Sequence, residues 1–165
     1  MNTPAYQAVV YLPKLAPGFA LGVRCNDDEI RAIEYLAPCA ELAPRTPLAK
    51  EAVRQLRAYL KDPAFEFGLP LMPAGTQFQR RVWDGIAEIP CGETRTYGEL
   101  AQAIHSGPRA VGNACGANPY PLVVPCHRVV ASGGGLGGFG RGGGGPLLEI
   151  KRWLLAHEGG GRRWP

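Results

Sequence analysis

The sequence has no apolar run approaching the roughly twenty residues that a bilayer core demands, so no membrane partner is expected. It does not open on a charged segment followed by a long apolar core, so no signal peptide is expected and the chain reads as cytoplasmic. It lacks a paired cysteine framework. The five Cys, at 25, 39, 91, 115 and 126, are an odd and scattered set with no C-x-x-C, which suits a reducing compartment rather than a disulfide scaffold. No His precedes residue 105, so a Cys/His zinc site in the first half would need distant ligands, and no metal is expected. The first half also lacks net charge. Residues 1–75 hold eight Lys or Arg against eight Asp or Glu, while residues 76–165 hold ten against six and carry the whole +4. A basic half is what a polyanion-binding surface requires, although four charges alone fit many cytosolic domains.

With 165 residues, 45% hydrophobic and 19% charged, the chain can bury the core of one sizeable domain or of two small ones. Tyr6 to Tyr11 (YQAVVY), Phe19 to Arg24 (FALGVR) and Ile30 to Leu36 (IRAIEYL) read as three strands of an antiparallel meander. A loop with Pro13, Pro17 and Gly18 and a turn at Asn26-Asp27-Asp28 separate them. Leu48, Ala52, Leu56 and Tyr59/Leu60 then recur at helical spacing until Asp62-Pro63 stops the helix, and Phe65, Phe67, Leu69 and Leu71 alternate toward Pro73. Nothing here groups a nucleophile with a base, so residues 1–75 read as a scaffold domain.

Residues 76–165 read differently. Thr76 caps a helix reaching Glu88, with Phe78, Val82 and Ile86 on one face. Thr96 and Glu99 fit a capping box that opens a helix from Tyr97 to Ile104. Ser106-Gly107-Pro108 breaks it, and Arg109 to Ala117 forms a second helix crowded with small residues. Two helices across a tight glycine turn outline a helix-turn-helix. The second carries Ala, Gly and Val where base-reading polar side chains usually stand. It therefore suits close approach to a minor groove or, equally, packing inside the domain. A last helix runs from Leu147 to Glu158.

Between these helices, Leu122-Val123-Val124 reads as a short buried strand that Pro125 ends, presenting Cys126 at its mouth. Neighbours in a strand face opposite ways, so Cys126 and His127 can share a reaction only if the backbone turns sharply between them. The pair is then a thiol activated by an imidazole, or else a buried structural Cys beside an exposed His.

One ordered series runs through nearly all of residues 75–158. It comprises Gly75-Thr76-x-Phe78-Gln79-x-x-Val82-Trp83, Ile89-Pro90-x-Gly92-x-Thr94-x-x-Tyr97-Gly98-Glu99, Arg109-Ala110-Val111, Asn118-Pro119, Pro125-Cys126-His127-Arg128-Val129 and Lys151-x-Trp153-Leu154-Leu155. The series resembles the methylated-DNA–protein-cysteine methyltransferases, also called O6-alkylguanine-DNA alkyltransferases. The resemblance implies an α+β fold. Its N-terminal α/β domain is an antiparallel sheet plus helix, and its C-terminal domain is mostly helical with a helix-turn-helix and a nucleophile loop. It also implies single-turnover repair, in which Cys126 takes an alkyl group from O6-alkylguanine, or O4-alkylthymine, and keeps it.

In that reading His127, through a water and oriented by Glu158, takes the thiol proton. Tyr97 donates toward the departing base, and Asn118 braces the turn beneath the nucleophile. Arg109 holds the space of the flipped nucleotide, Ala110, Gly112 and Ala114 allow close approach, and Arg128, Thr94 and Tyr97 also face DNA. The partner is double-stranded DNA carrying O6-alkylguanine, and the protein acts as a monomer without a cofactor. Extrusion is physically required, because the alkylated oxygen lies inside the stacked duplex.

The sequence departs from the family in three places. The turn Ser106-Gly107-Pro108 is short, the stretch 133–145 holds ten Gly in thirteen residues and is long, and Gly140 after Phe139 offers no side chain. A Cys-His-Glu hydrolase and a lesion-binding protein without transfer are the competing readings.

Overall fold

The structure, a computed structural model, describes residues 5–12, 18–138 and 145–159. Pro13, Pro17, Phe139 and Gly140 lie outside the described residues, as does the centre of the glycine-rich stretch. The chain divides into two compact units, Met1–Pro73 and Ala74–Pro165.

The first unit is an antiparallel sheet with a helix on it. Strands β1 (Ala8–Leu12), β2 (Phe19–Cys25) and β3 (Ile30–Leu36) lie in that order, with Val10 opposite Leu21 and Val23 opposite Ile33. Helix α1 (Pro47–Lys61) packs on β1 and β2. Thr46 accepts a hydrogen bond from the Ala49 N–H, and Pro47 fills the first helical position, where an N–H has no partner anyway. Ala49, Ala52, Leu56 and Tyr59 form the buried stripe. Phe65 to Leu71 do not form a strand. Their only pairing among the described residues is an isolated bridge from Leu71 to Ile30.

The second unit contains α2 (Gln77–Ala87), β4 (Arg95–Thr96), α3 (Tyr97–Ala103), α4 (Pro108–Gly116), β5 (Val129–Val130) and α5 (Pro146–Gly159). Both expected Thr caps form: Thr76 and Gln79 close a capping box on α2, and Thr96 and Glu99 close one on α3. Gly75 has φ +80°, and a Cβ there would lie 2.5 Å from the Trp83 ring, so glycine is required on both counts. Trp83 Nε1 in turn donates to the Ala114 carbonyl at 2.8 Å, tying α2 to α4. The turn between α3 and α4 is closed by Ser106 N–H to the Ala101 carbonyl and His105 N–H to the Gln102 carbonyl. This pattern places His105 in the left-handed region, at φ 56°. The α+β architecture agrees with the reading of the sequence.

The run before Cys126 is not the expected strand. Pro121 and Pro125 bracket it and deny it ladder donors. Leu122 adopts φ 73°, and the Val124 N–H closes a turn onto the Tyr120 carbonyl at 2.8 Å. The strand comes after Cys126 instead, as β5 pairs in parallel with β4, Arg95 opposite Val129.

Candidate active site

Residues Cys126–Arg128 form a single 3-10 turn, closed by the Arg128 N–H on the Pro125 carbonyl at 2.9 Å. Three residues per turn, rather than alternation, carry Cys126 and His127 away from the opposite faces that a strand would give them. Asn118 holds the turn from beneath. Its Nδ2 donates to the Val124 carbonyl at 2.9 Å and to Cys126 Sγ at 3.1 Å, while its Oδ1 accepts the Tyr120 N–H.

His127 is buried, with Nε2 2.7 Å from Glu158 Oε1. Burial pushes the Glu158 carboxyl up, but hydrogen bonds from His127 and Arg128 outweigh it and hold the acid below the usual range. Glu158 is therefore an acceptor only, and the proton between the two groups sits on Nε2. Burial also lowers the imidazole's affinity for a second proton, against the pull of Glu158. The neutral ring thus leaves Nδ1 as a lone pair, and that atom is buried without a hydrogen-bond partner among the described residues. Arg128 completes the support. Its Nε and Nη2 both bond Glu158 at 2.9 Å, and its Nη1 donates to the Ile89 carbonyl at 2.7 Å.

The Cys126 thiol is 5% exposed. A hydrogen-bonding contact with Cys115, followed by burial, pushes it up, while the Asn118 amide and the Lys151 cation pull it back. It is a protonated thiol at rest, one that needs a base.

Cys126 opens onto a pocket of about 460 Å³, lined also by Tyr97, Arg109, Gly112, Cys115 and Gly138. The Tyr97 hydroxyl, raised by burial, remains a donor and bonds the Gly138 carbonyl at 3.1 Å. Gly137 makes this approach possible: it has φ +72°, and a Cβ there would lie 2.7 Å from the tyrosine ring. Lys151 on α5 is fully buried. Its Nζ donates to the carbonyls of Val129 at 2.7 Å and Gly138 at 2.8 Å, and burial lowers its pKa to about 8.

Cys126 and Tyr97 thus line one pocket, with exposed Arg109 and half-buried Gly112; Asn118 bonds Cys126, and His127 pairs with Glu158, but none of these three is in the lining. Ala110 is half-buried on the helix of Arg109 and Gly112. Ala114, Arg128 and Thr94, also expected at DNA, do not line this pocket. Ala114 is 2% exposed beneath Trp83 and offers no surface. Arg128 turns inward to Glu158 because a buried carboxylate binds a guanidinium fork more strongly than water does. Thr94 lines a separate groove of about 870 Å³ between α2 and α3 that shares no lining residue with the Cys126 pocket. Lys151 and Cys115 carried no expected role. The signal for Lys151 was its place on the apolar stripe of α5, beside Ile150, Leu154 and Leu155.

Residues 77–160 match the family model described as 6-O-methylguanine DNA methyltransferase, DNA binding domain. The chain is 47% identical over 112 residues to a methylated-DNA–protein-cysteine methyltransferase of Methanosarcina acetivorans, covering 67% of this chain and 69% of the relative. To the protein of that name from Mycobacterium leprae it is 46% identical over 117 residues, covering 70% and 68%. A crystal structure of Mycobacterium tuberculosis OGT in complex with DNA superposes with a TM-score of 0.72 at 39% identity, over 86% of this chain and 87% of that one. The O6-methylguanine-DNA methyltransferase of Pyrococcus kodakaraensis superposes with a TM-score of 0.58 at 26% identity, over 92% and 98%. An ordered set of motifs, an α+β fold and two independent kinds of likeness agree, and the chain belongs to the methylated-DNA–protein-cysteine methyltransferase family.

Proposed function

We propose that the protein removes alkyl groups from O6-alkylguanine, and from O4-alkylthymine, in double-stranded DNA by transferring them to Cys126, once per molecule. The observation that supports this most is the neutral His127, held by Glu158 at 2.7 Å with Nδ1 unpartnered, next in sequence to a buried thiol that needs a base. His127, through a water, takes the proton from Cys126. The sulfur attacks the alkyl carbon in line, the S–C bond forms and the C–O6 bond breaks. The departing guanine takes up one proton at a ring nitrogen, which balances the one lost from sulfur. Tyr97, a donor at the pocket, exchanges its bond to Gly138 for one to the base as charge develops there. The thioether has no second nucleophile to release it as thiol, so each molecule acts once.

The flipped base reaches the pocket from the minor groove, beside α4, with Arg109 in the space it leaves. Unstacking costs a few kcal/mol, less for a poorly paired lesion. The +4 of residues 76–165 supplies affinity indifferent to sequence, and that affinity falls as salt rises. The reaction needs no second copy of the chain and no cofactor, consistent with a monomer acting in the cytoplasm.

The test is the mass of the whole protein after mixing with O6-methylguanine DNA, followed by peptide mapping. One methyl group on Cys126 and none elsewhere is the expected result. Release of more than one alkyl group per protein would point to a hydrolase, and binding without any mass gain would point to a lesion-binding protein.

A further inference from the structure

The proposed chemistry leaves one reactive group of the pocket without a task. Cys115 stands in the last turn of α4 and lines the same pocket as Cys126. Each thiol is the strongest single influence on the other's ionisation across this shared pocket, and neither is in a disulfide. Of the other three cysteines, Cys25 belongs to the first unit and is buried there, while Cys39 and Cys91 are exposed and line no part of this pocket. We propose that Cys115 and Cys126 form a reversible disulfide when a hydroperoxide enters the pocket, which shuts off alkyl transfer and spares the nucleophile from irreversible oxidation. The loss of transfer rests on Cys126 being the alkyl acceptor, as proposed above. The bond itself does not.

The chemistry balances with hydrogen peroxide as the oxidant. The more acidic of the two sulfurs attacks the peroxide as thiolate, an S–O bond forms, the O–O bond breaks, and hydroxide leaves and takes up a proton as water. The resulting sulfenic acid is attacked by the second sulfur, the S–S bond forms, the S–O bond breaks, and a second water leaves with the remaining thiol proton. Two thiols are oxidised by two electrons and one peroxide is reduced to two waters. Either cysteine can be oxidised first, because the other resolves it and the product is the same. The Lys151 cation lies within electrostatic reach of both sulfurs and favours the thiolate that begins the sequence. A resolving thiol held against the sulfenic acid captures it before a second peroxide arrives, and that second oxidation is the step that cannot be reversed.

The test treats the full-length protein with hydrogen peroxide, blocks the remaining thiols under denaturing conditions, and maps the peptides. Wild type should lose two hydrogens in mass and yield a Cys115–Cys126 cross-linked pair. Transfer from free O6-benzylguanine, measured relative to each protein's own untreated level, should be lost and then regained almost completely with dithiothreitol. Cys115→Ser, which has no resolving thiol, should pass on to the irreversible second oxidation when the same treatment uses excess peroxide, and so lose transfer and regain almost none. Absence of the cross-linked pair in oxidised wild type would overturn the proposal, as would equal recovery in Cys115→Ser. The cross-link map reads the pair without any transfer. A protein that forms the bond but never accepts an alkyl group would therefore sink the alkyl-transfer reading alone.

Discussion

The two units bury polar side chains to different ends. In Met1–Pro73 the buried polar side chain among the described residues, Gln55, is satisfied in both directions by the backbone of one residue: its Nε2 donates to the Gly68 carbonyl and its Oε1 accepts the Gly68 N–H. That arrangement pins a loop to α1 and holds nothing in reserve. In Ala74–Pro165, His127, Lys151 and the Glu158 carboxylate are all buried, and one of them, His127, keeps a ring nitrogen unused. A buried polar atom without a partner lowers stability, by about 1–3 kcal/mol for a typical group. The second unit carries that cost at the atom that the proposed reaction needs. Stability and chemistry should therefore separate between the units under mutation.

The sharpest break is Cys126→Ser. It should abolish transfer to both DNA and free O6-benzylguanine, because a serine hydroxyl is far harder to ionise, while the thermal midpoint stays near that of wild type. Substitution of the base's support should damage both properties together. Glu158→Gln removes the anion that fixes the His127 tautomer and pairs Arg128. It should slow transfer about a hundredfold, measured as the single-turnover rate constant, and lower stability by about 3 kcal/mol in denaturant titration. The pH dependence has a definite sign. The folded state holds the Glu158 pKa below its ordinary 4.5, so its contribution is present above that pH and is lost as pH falls through the folded value. Acid titrations of the variant should accordingly show a shallower loss of stability than wild type.

In the first unit the same kind of measurement should move stability alone. Leu56 is fully buried on α1, and Leu56→Ala should cost about 2–5 kcal/mol in denaturant titration. Assayed below its melting range, the variant's transfer rate constant should match wild type. A matching fall in rate would erase the distinction between the units. Within the second unit, Arg109→Ala should divide extrusion from bond-making. Transfer from duplex DNA should slow about tenfold, or about 1.4 kcal/mol of the few that unstacking costs, with free O6-benzylguanine much less affected. Equal losses on both substrates would place Arg109 in the pocket or the fold. The smallest effect is expected at His105, whose φ of 56° suits glycine. His105→Gly should raise stability by about 0.5 kcal/mol, read as a small rise in thermal midpoint.

Local chemistry was legible in the sequence. Thr76 and Thr96 announce helix starts because a cap is made with the residue three positions on, whereas the Thr46 cap became visible only in the structure. Alternation marked the three strands. Pro125-Cys126-His127-Arg128 stood out as a candidate thiol and base, and the family resemblance added Glu158, which the structure pairs with His127. The structure decided what those residues do with one another. It made Leu122–Val124 a turn, set Arg128 against Glu158, and put Ala114 beneath Trp83. It buried Lys151 against the carbonyls of Val129 and Gly138, drew Cys115 up to Cys126, and left Nδ1 of His127 unused. Apart from the Leu122–Val124 turn, which its flanking prolines shape, each of these depends on a partner from another element of the same unit or on the low dielectric that packing creates. Periodicity and caps register neighbours within a turn or two of chain, so such pairings are settled only when the unit closes around them.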